Sequence, residues 1–443
     1  MNVLLDRGTL GPSFVVEHGR LRGATKDELE HRGAFARLDC AWARDTELLP
    51  GFVNAHTHLY SGLAPLGMPA PKRAPETFLQ ILERVWWRLD RALDERALRA
   101  SARLALAEGL LAGTTAFVDH HESPAFVDGS LDVLAECAEE LGARLVVTYG
   151  ATERNEGREE ARRGLAECAR FVRANPSSPV RGLVGLHAAF TVSDDTLRDA
   201  GELARELGVP VHVHVAEDWA DVADAHERGY TGVLERLLAC DALPKGSILA
   251  HGVHLTVDEV RRAGELGLWL VQNPRSNEGN RVGYPRALVA SANVALGTDG
   301  WPADMRVERD ALLRIGTQNG DARTALEARV DAGRRLMSAL TGAKLGAESG
   351  RVADGAGAKP DARASSSSAV VGAAPSSADA LDGLSADVIV GAPNAPPRHV
   401  LVAGRVVVRD GELVTADLER LRAEARFEAA RLWPRMSALP EPA

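Results

Sequence analysis

The sequence predicts an α/β fold: a TIM-like (β/α)8 barrel with a small β-sandwich domain built from both ends of the chain. Three observations predict it. Eight short apolar, β-branched runs alternate with helical patterns over about 250 residues, the number and spacing that an eight-stranded parallel barrel needs. β-patterned pieces flank that region on both sides. The turn after the first run holds histidines, where a doubly wound sheet would carry a glycine-rich phosphate turn.

Residues 1–47 contain strand-like pieces, "FVVEHGRLRG" and "FARLDCAW". The barrel is expected over 48–347. Its strands are read in "GFVNAHTH", Thr114–His121, Ala143–Gly150, Arg181–Phe190, Val209–Glu217, Ser247–Leu255, Leu268–Asn277 and Asn293–Gly300. Each stops at polar or glycine residues. Between them "SLDVLAECAEELGA" is amphipathic and ends at Gly142. "SDDTLRDAGELARELG" opens on a capping signature at Ser193 and stops at Gly208. Residues 348–383 are rich in Ser, Ala and Gly and poor in aromatics, so a disordered insertion without a catalytic role is expected. The β domain resumes over 384–420 with "ADVIVGA" and the hairpin pattern His399–Val414. A C-terminal helix and tail fill 421–443.

Composition narrows the class. The chain has 443 residues, 45% hydrophobic and 26% charged, an ordinary globular balance. A net charge of -10 argues against a nucleic-acid or anionic-membrane partner. No apolar run approaches the roughly 18 residues of a membrane helix. Cys40, Cys137, Cys168 and Cys240 show no CxxC spacing and read as free thiols of a reducing compartment. "MNVLLDRGTL" lacks the pattern of a secretory leader. A cytoplasmic protein acting on a small molecule is expected.

The chemistry concentrates at strand ends, where a barrel carries its active face. "LLPGFVNAHTHLYSG" ends its apolar run in His56 and His58. The second strand ends in Asp119, His120 and His121, the fourth carries His187, the fifth His212, His214 and Glu217, the sixth His251 and His254, and the eighth Asp299. One histidine there is usually a packing residue; this many at one face are not. His56 and His58 stand two apart on a strand and point to one side. With His214 and Asp299 they offer three imidazoles and a carboxylate, a set suited to one Zn²⁺, with Fe²⁺ as the chemical rival. An open position would hold a water whose pKa the metal lowers towards about 7.

"PGFVNAHTH", "HVAE", "ILAHGVHL", "NPRSN" and "GTDG", in this order, resemble the amidohydrolase superfamily and, within it, the aminohydrolase/chlorohydrolase branch of S-adenosylhomocysteine, guanine and triazine deaminases. "WWRLDRAL", "DHHESP" and "GLHAAFTVSDDTL" resemble that branch's SsnA subgroup. The resemblance implies a metal-bearing barrel with a β domain from both termini. It implies His56, His58, His214 and Asp299 as metal ligands and Glu217 as proton shuttle. It places His251 beside the reacting water, Asp299 as an acceptor of that water's proton, and His187 against the substrate; a homodimer is a family-level expectation. Hydrolytic deamination needs such groups in any case, because protons must reach a ring nitrogen and a departing amine. None of the five lysines falls in the fourth-strand run, where two-metal relatives carry a bridging lysine, so one metal per chain is expected.

The neighbours leave alternatives. His212 is the rival ligand to His214, and the HxxE spacing favours His214. His254 reads as a loop or packing residue. Asp119, His120 and His121 either line the pocket or support the metal shell; His121 is taken as substrate-binding. Trp86 and Trp87 lie in a helix-like segment; Trp86 can stack on a flat heterocycle or belong to the helix core. Asn277 reads as structural, and Arg275 as a partner for a polar or anionic substrate group. Asp304 has a weak case. The expected activity is deamination of an aminated heterocycle or related C=N compound. The alternatives are hydrolysis of another C–N or a C–Cl bond, and a non-catalytic barrel that should have lost a ligand or Glu217.

Overall fold

A proline followed by a glycine divides the first apolar run between two sheets. In the computed structural model, which describes residues 3–6, 13–31, 36–39, 47–176, 180–345, 384–392 and 395–441, Glu47–Pro50 pairs antiparallel with Val388–Gly391. Gly51 then donates its N–H to the Asp387 carbonyl at 2.9 Å, and Phe52 donates to Gly113 at 3.0 Å. A Cβ at Gly51 would sit 2.2 Å from the Thr115 hydroxyl, so only glycine lets the chain change sheets here. The barrel therefore begins at Phe52 rather than Leu48.

Eight parallel strands follow: β1 (Phe52–Thr57), β2 (Thr114–His121), β3 (Arg144–Ala151), β4 (Val184–Ala188), β5 (Val211–Val215), β6 (Ile248–His251), β7 (Trp269–Gln272) and β8 (Val294–Leu296). They pair in chain order, and a short strand, Val180–Gly182, lies beside β3. All eight coincide with the runs expected from the sequence. The seam between β8 and β1 closes only at the strands' C-terminal ends. The His56 carbonyl accepts the N–H groups of Thr298 and Asp299 at 3.0 and 2.9 Å, and His58 N–H reaches the Asp299 carbonyl at 3.3 Å. Val53, Ala55, Ala116, Val118, Val146, Ile248, Val271 and Ala295 fill the interior against the helix Arg323–Thr341.

Helix ends obey their caps. Ser193 accepts the Thr196 N–H at the start of Asp194–Leu207, and Gly208 ends it at φ 66°. Asp304, the weak site candidate, caps Met305–Gln318. The C-terminal helix Leu418–Ala438 lays Leu421, Ala425, Ala429, Leu432 and Met436 into the same core as Leu98, Ala102 and Leu106 of Glu95–Leu111.

The flanks meet as a sandwich. Val3–Asp6, Phe14–Glu17, Arg20–Gly23 and Ala36–Asp39 form one sheet; Glu47–Pro50, Val388–Gly391, His399–Val402, Arg405–Arg409 and Glu412–Leu413 form the other. Val3, Leu5, Phe14 and Leu21 share a core with Leu48, Val388 and Leu401. The hairpin turns on Ala403 and Gly404, both at positive φ, as a two-residue turn between twisted strands requires. The expected insertion at 348–383 lies outside the described residues, as does Cys40; Cys137, Cys168 and Cys240 are free and buried. Among the described residues no helix is long and apolar enough to cross a membrane.

One ion pair fastens the sandwich to the barrel. Arg144, at the foot of β3, grips Asp387 with Nε and an outer nitrogen at 2.7 and 2.9 Å, and also donates to Ser385 at 2.7 Å. Asp387 is buried, so removing the arginine strands a charge, at a cost of about 3 kcal/mol. Arg144→Met is expected to lower the urea-unfolding free energy by about that amount, and Arg144→Met with Asp387→Leu to recover most of it. A single-variant loss below about 1 kcal/mol would mean the pair fastens nothing.

Candidate active site

The strand ends bring four groups onto one point. Asp299 Oδ1 lies 2.9 Å from His58 Nε2 and 3.2 Å from His56 Nε2, and His58 Nε2 lies 3.3 Å from His214 Nε2. The far nitrogens fix the tautomers. His58 Nδ1 donates to the His120 carbonyl at 2.5 Å, and His214 Nδ1 donates to the His187 carbonyl. With both imidazoles neutral, as ligation of a cation requires, both Nε2 atoms carry lone pairs that face each other and a carboxylate. His56 Nδ1 stands 3.0 Å from His212 Nε2, while His56 Nε2 is buried without a hydrogen-bond partner. Lone pairs converging in this way need a cation. Four ligands at about 2.0–2.1 Å around one tetrahedral ion stand about 3.3 Å apart, close to the spacings seen.

The electrostatics agree. Burial opposes charge on every one of these imidazoles. It drives His56 down to about 3 and His214 well below its ordinary value. Burial lowers His58 too, but Asp299, Glu122 and Asp119 outweigh it and lift His58 to about 10. The pocket's field thus asks for positive charge at this point. Asp299, despite burial, is held well below the carboxylate range by His56 and His58.

Around this point stand His251 and Glu217. His251 Nε2 has no hydrogen-bond partner and lies 3.5 Å from a Glu217 oxygen and 4.0 Å from Asp299. Burial, then the Asp299 charge, push the Glu217 carboxyl well above its ordinary range. Ala216, His251 and Asp299 all have positive φ, at 48°, 72° and 54°. For residues with a Cβ this is strained backbone, and it lies at the ends of β5, β6 and β8, where the chain turns at the site.

The short helix Pro274–Gly279 after β7 supports the floor. Ser276 donates to Asp299 Oδ2, Asn277 Oδ1 faces His251 Nδ1 at 2.9 Å, and Asn280 bonds both Ser276, at 3.2 Å, and Glu217. Positions 276, 277 and 280 share one helix face. Arg275 therefore points elsewhere. It pairs with the buried carboxylate of Glu308 and donates to the Pro302 carbonyl, away from the pocket, so the expectation that it meets substrate is corrected.

The cleft is lined by His58, His187, His214, Glu217, Asp299 and Trp86, as expected, and also by residues that the sequence reading did not single out: Tyr60, Phe78, Phe190 and Glu122. His121 does not line it. Its Nε2 meets the Ser123 hydroxyl at 2.7 Å and its ring packs edge-on to Tyr149, so its expected substrate contact is corrected to packing. His120 and Glu122, on the alternate side of the strand, face the site; alternation was the signal available for Glu122. Asp119 Oδ1 accepts the Leu59 N–H at 2.6 Å and so holds the turn after the histidine pair. His212 lies on the outer nitrogen of His56, and His254 stacks on Trp219.

The profile of the Amidohydrolase family matches residues 48–356. The chain is 28% identical over 456 residues to a 5'-deoxyadenosine deaminase of Methanopyrus kandleri, covering 95% of this chain and 93% of that one. Its fold is similar to a zinc-bound adenosine deaminase from Xanthomonas campestris, with a TM-score of 0.75 and 22% identity over 97% of this chain and 98% of that one. It is also similar to the zinc complex of atrazine chlorohydrolase TrzN from Arthrobacter aurescens, with a TM-score of 0.70 and 18% identity over 96% and 100%.

Arg275→Gln tests the corrected placement. It is expected to destabilise the fold by about 3 kcal/mol, because Glu308 loses its partner, while KM changes less than about twofold. A KM rise above about tenfold with unchanged stability would return Arg275 to the pocket.

Proposed function

The chain belongs to the amidohydrolase family, and on that premise we propose that it is a zinc-dependent deaminase of an aminated heterocycle. The observation that carries this reading is the approach of two lone-pair nitrogens, His58 Nε2 and His214 Nε2, to 3.3 Å beside a carboxylate. His56, His58, His214 and Asp299 would hold the ion, and three nitrogens with one oxygen suit zinc. A divalent ion there supplies a water that is nucleophilic at neutral pH.

The chain's own groups move the protons. Replacing C–NH2 by C=O consumes one water and releases ammonia, so one proton of the water goes to the ring nitrogen, where it stays, and the other to the departing amine. Glu217, a buried carboxyl whose hold on a proton burial and the Asp299 charge strengthen, sits beside His251, where it can give a proton to the ring nitrogen, take one from the water and pass it to the amine. Asn280 fixes its position. His251, held by Asn277, presents Nε2 towards the reacting water and polarises it. His187 and Trp86 bound the substrate's plane. The resident proton donor favours amine over chloride as leaving group, because departing chloride needs no proton. The deoxyadenosine deaminase relative makes purine nucleosides the first compounds to screen.

Glu217→Gln is expected to cut ammonia release by about 10²–10⁴-fold with zinc content unchanged; retained turnover would remove Glu217 from this role. His212→Ala is expected to weaken zinc affinity about 10–100-fold, because it only orients His56, whereas His214→Ala should abolish stoichiometric zinc. Metal analysis of the purified variants checks both. A wild-type protein that binds no zinc or iron, and gains nothing when they are added, would overturn the reading.

A further inference from the structure

We propose that Glu122 selects the substrate. Its free carboxylate oxygen accepts a hydrogen bond from an N–H or O–H on the edge of the molecule away from the departing amine, and the acidic lining rejects compounds that carry phosphate or carboxylate. The proposal rests on the deaminase reading and names the substrate class of that site.

Glu122 follows directly on β2, is only 1% exposed and lines the cleft. One oxygen, Oε1, lies 2.6 Å from His120 Nδ1. The other, Oε2, is 3.5 Å from His58 Nδ1, but that nitrogen already gives its hydrogen to the His120 carbonyl. Among the described residues no hydrogen bond reaches Oε2. Oε1, though close to His120 Nδ1, is itself buried without a hydrogen bond, so the whole carboxylate is under-satisfied, and a donor on a bound molecule can relieve it.

Its position assigns the edge. Glu217 approaches the centre from the end of β5, beside His251. Glu122 approaches from the end of β2, three strands away around the barrel, beside His58. A flat ring between them offers its reacting amidine edge to Glu217 and its far edge to Glu122.

The charge pattern assigns the exclusion. Glu122, Glu217, Asp218, Asp221 and Asp299 line the cleft, and no lysine or arginine does. Asp218 and Asp221 accept backbone N–H groups of Ala220, Ala216 and Phe190, so their oxygens are partly committed; Glu122 Oε2 is not. The neighbouring guanidinium, Arg154, is bound to Asp90 at 2.8 Å and lies over the Trp87 ring at 4.8 Å. The donors of the lining, among them the Trp87 indole and the Asn280 amide, are uncharged, so an anionic substituent would find no lysine or arginine to offset the carboxylates.

The test uses the full-length, zinc-loaded protein and measures kcat/KM for ammonia release on matched pairs. Adenosine should exceed its 5'-monophosphate by about 100-fold or more. Adenine against 2,6-diaminopurine, and 2',3'-dideoxyadenosine against adenosine, separate a ring-amino donor from a sugar hydroxyl; one pair should favour the donor-bearing member by about tenfold or more. Glu122→Gln should shrink both the donor preference and the phosphate penalty through KM more than kcat. Equal use of adenosine and its monophosphate, or no donor preference in either pair, would overturn the proposal even if Glu122→Gln fails to fold. If no compound releases ammonia from a protein that holds zinc, the deaminase reading falls by itself. Calorimetric binding of the same pairs then decides the role of Glu122, and equal affinities would reject it.

Discussion

Three imidazole lone pairs and one carboxylate point at a common spot inside a buried cleft, and the surrounding structure is organised to sustain that conflict. Uncompensated, such an array repels itself, so each member is clamped from behind. The clamps on His58 and His214 are backbone carbonyls at the ends of β2 and β4, and His56 leans on His212. Carbonyl oxygens only accept, so they dictate which nitrogen bears hydrogen and which bears the lone pair. The tautomers of His58 and His214 are thus set by main chain that side-chain mutation cannot remove, while that of His56 depends on the His212 ring.

The second organising element is the segment Asn273–Asn280. A turn and a half of helix places a hydroxyl under Asp299, an amide oxygen under His251 and an amide against Glu217. Asp299, His251 and Glu217, the groups proposed to polarise water and carry protons, therefore rest on one platform. The same helix turns Arg275 outward to Glu308, which among the described residues pairs with no other cation.

Much of this was legible in the sequence. All eight strands showed as apolar runs, because a parallel barrel buries both faces of each strand and leaves little room for polar interruption. That His56, His58, His214, His251, Glu217 and Asp299 would come together could be read from the sequence because each fell within or at the end of a strand run, and a barrel gathers its strand ends from positions as far apart as 56 and 299. Arg275 and His121 were misplaced for one shared reason. Their neighbours belong to the site, but helix and strand periodicity sends them to the opposite side. Glu122 was overlooked, although alternation from His120 reaches it, because it lies one residue beyond the apolar run. The first strand's true start depended on Gly51, whose need for a bare Cα is visible only once Thr115 is beside it.

The seam between β8 and β1 has a consequence for how the protein comes into being. Its hydrogen bonds join His56 and His58 to Thr298 and Asp299, at the very end where the candidate site lies. Closing a loop of that length is entropically late and slow. The first two histidines of the centre must therefore wait, through the synthesis of seven further strands, for the carboxylate that completes them. Until then the nascent chain holds half a centre with no partner. Catalytic competence and topological closure arrive in one step, so a partly folded barrel is an inactive one.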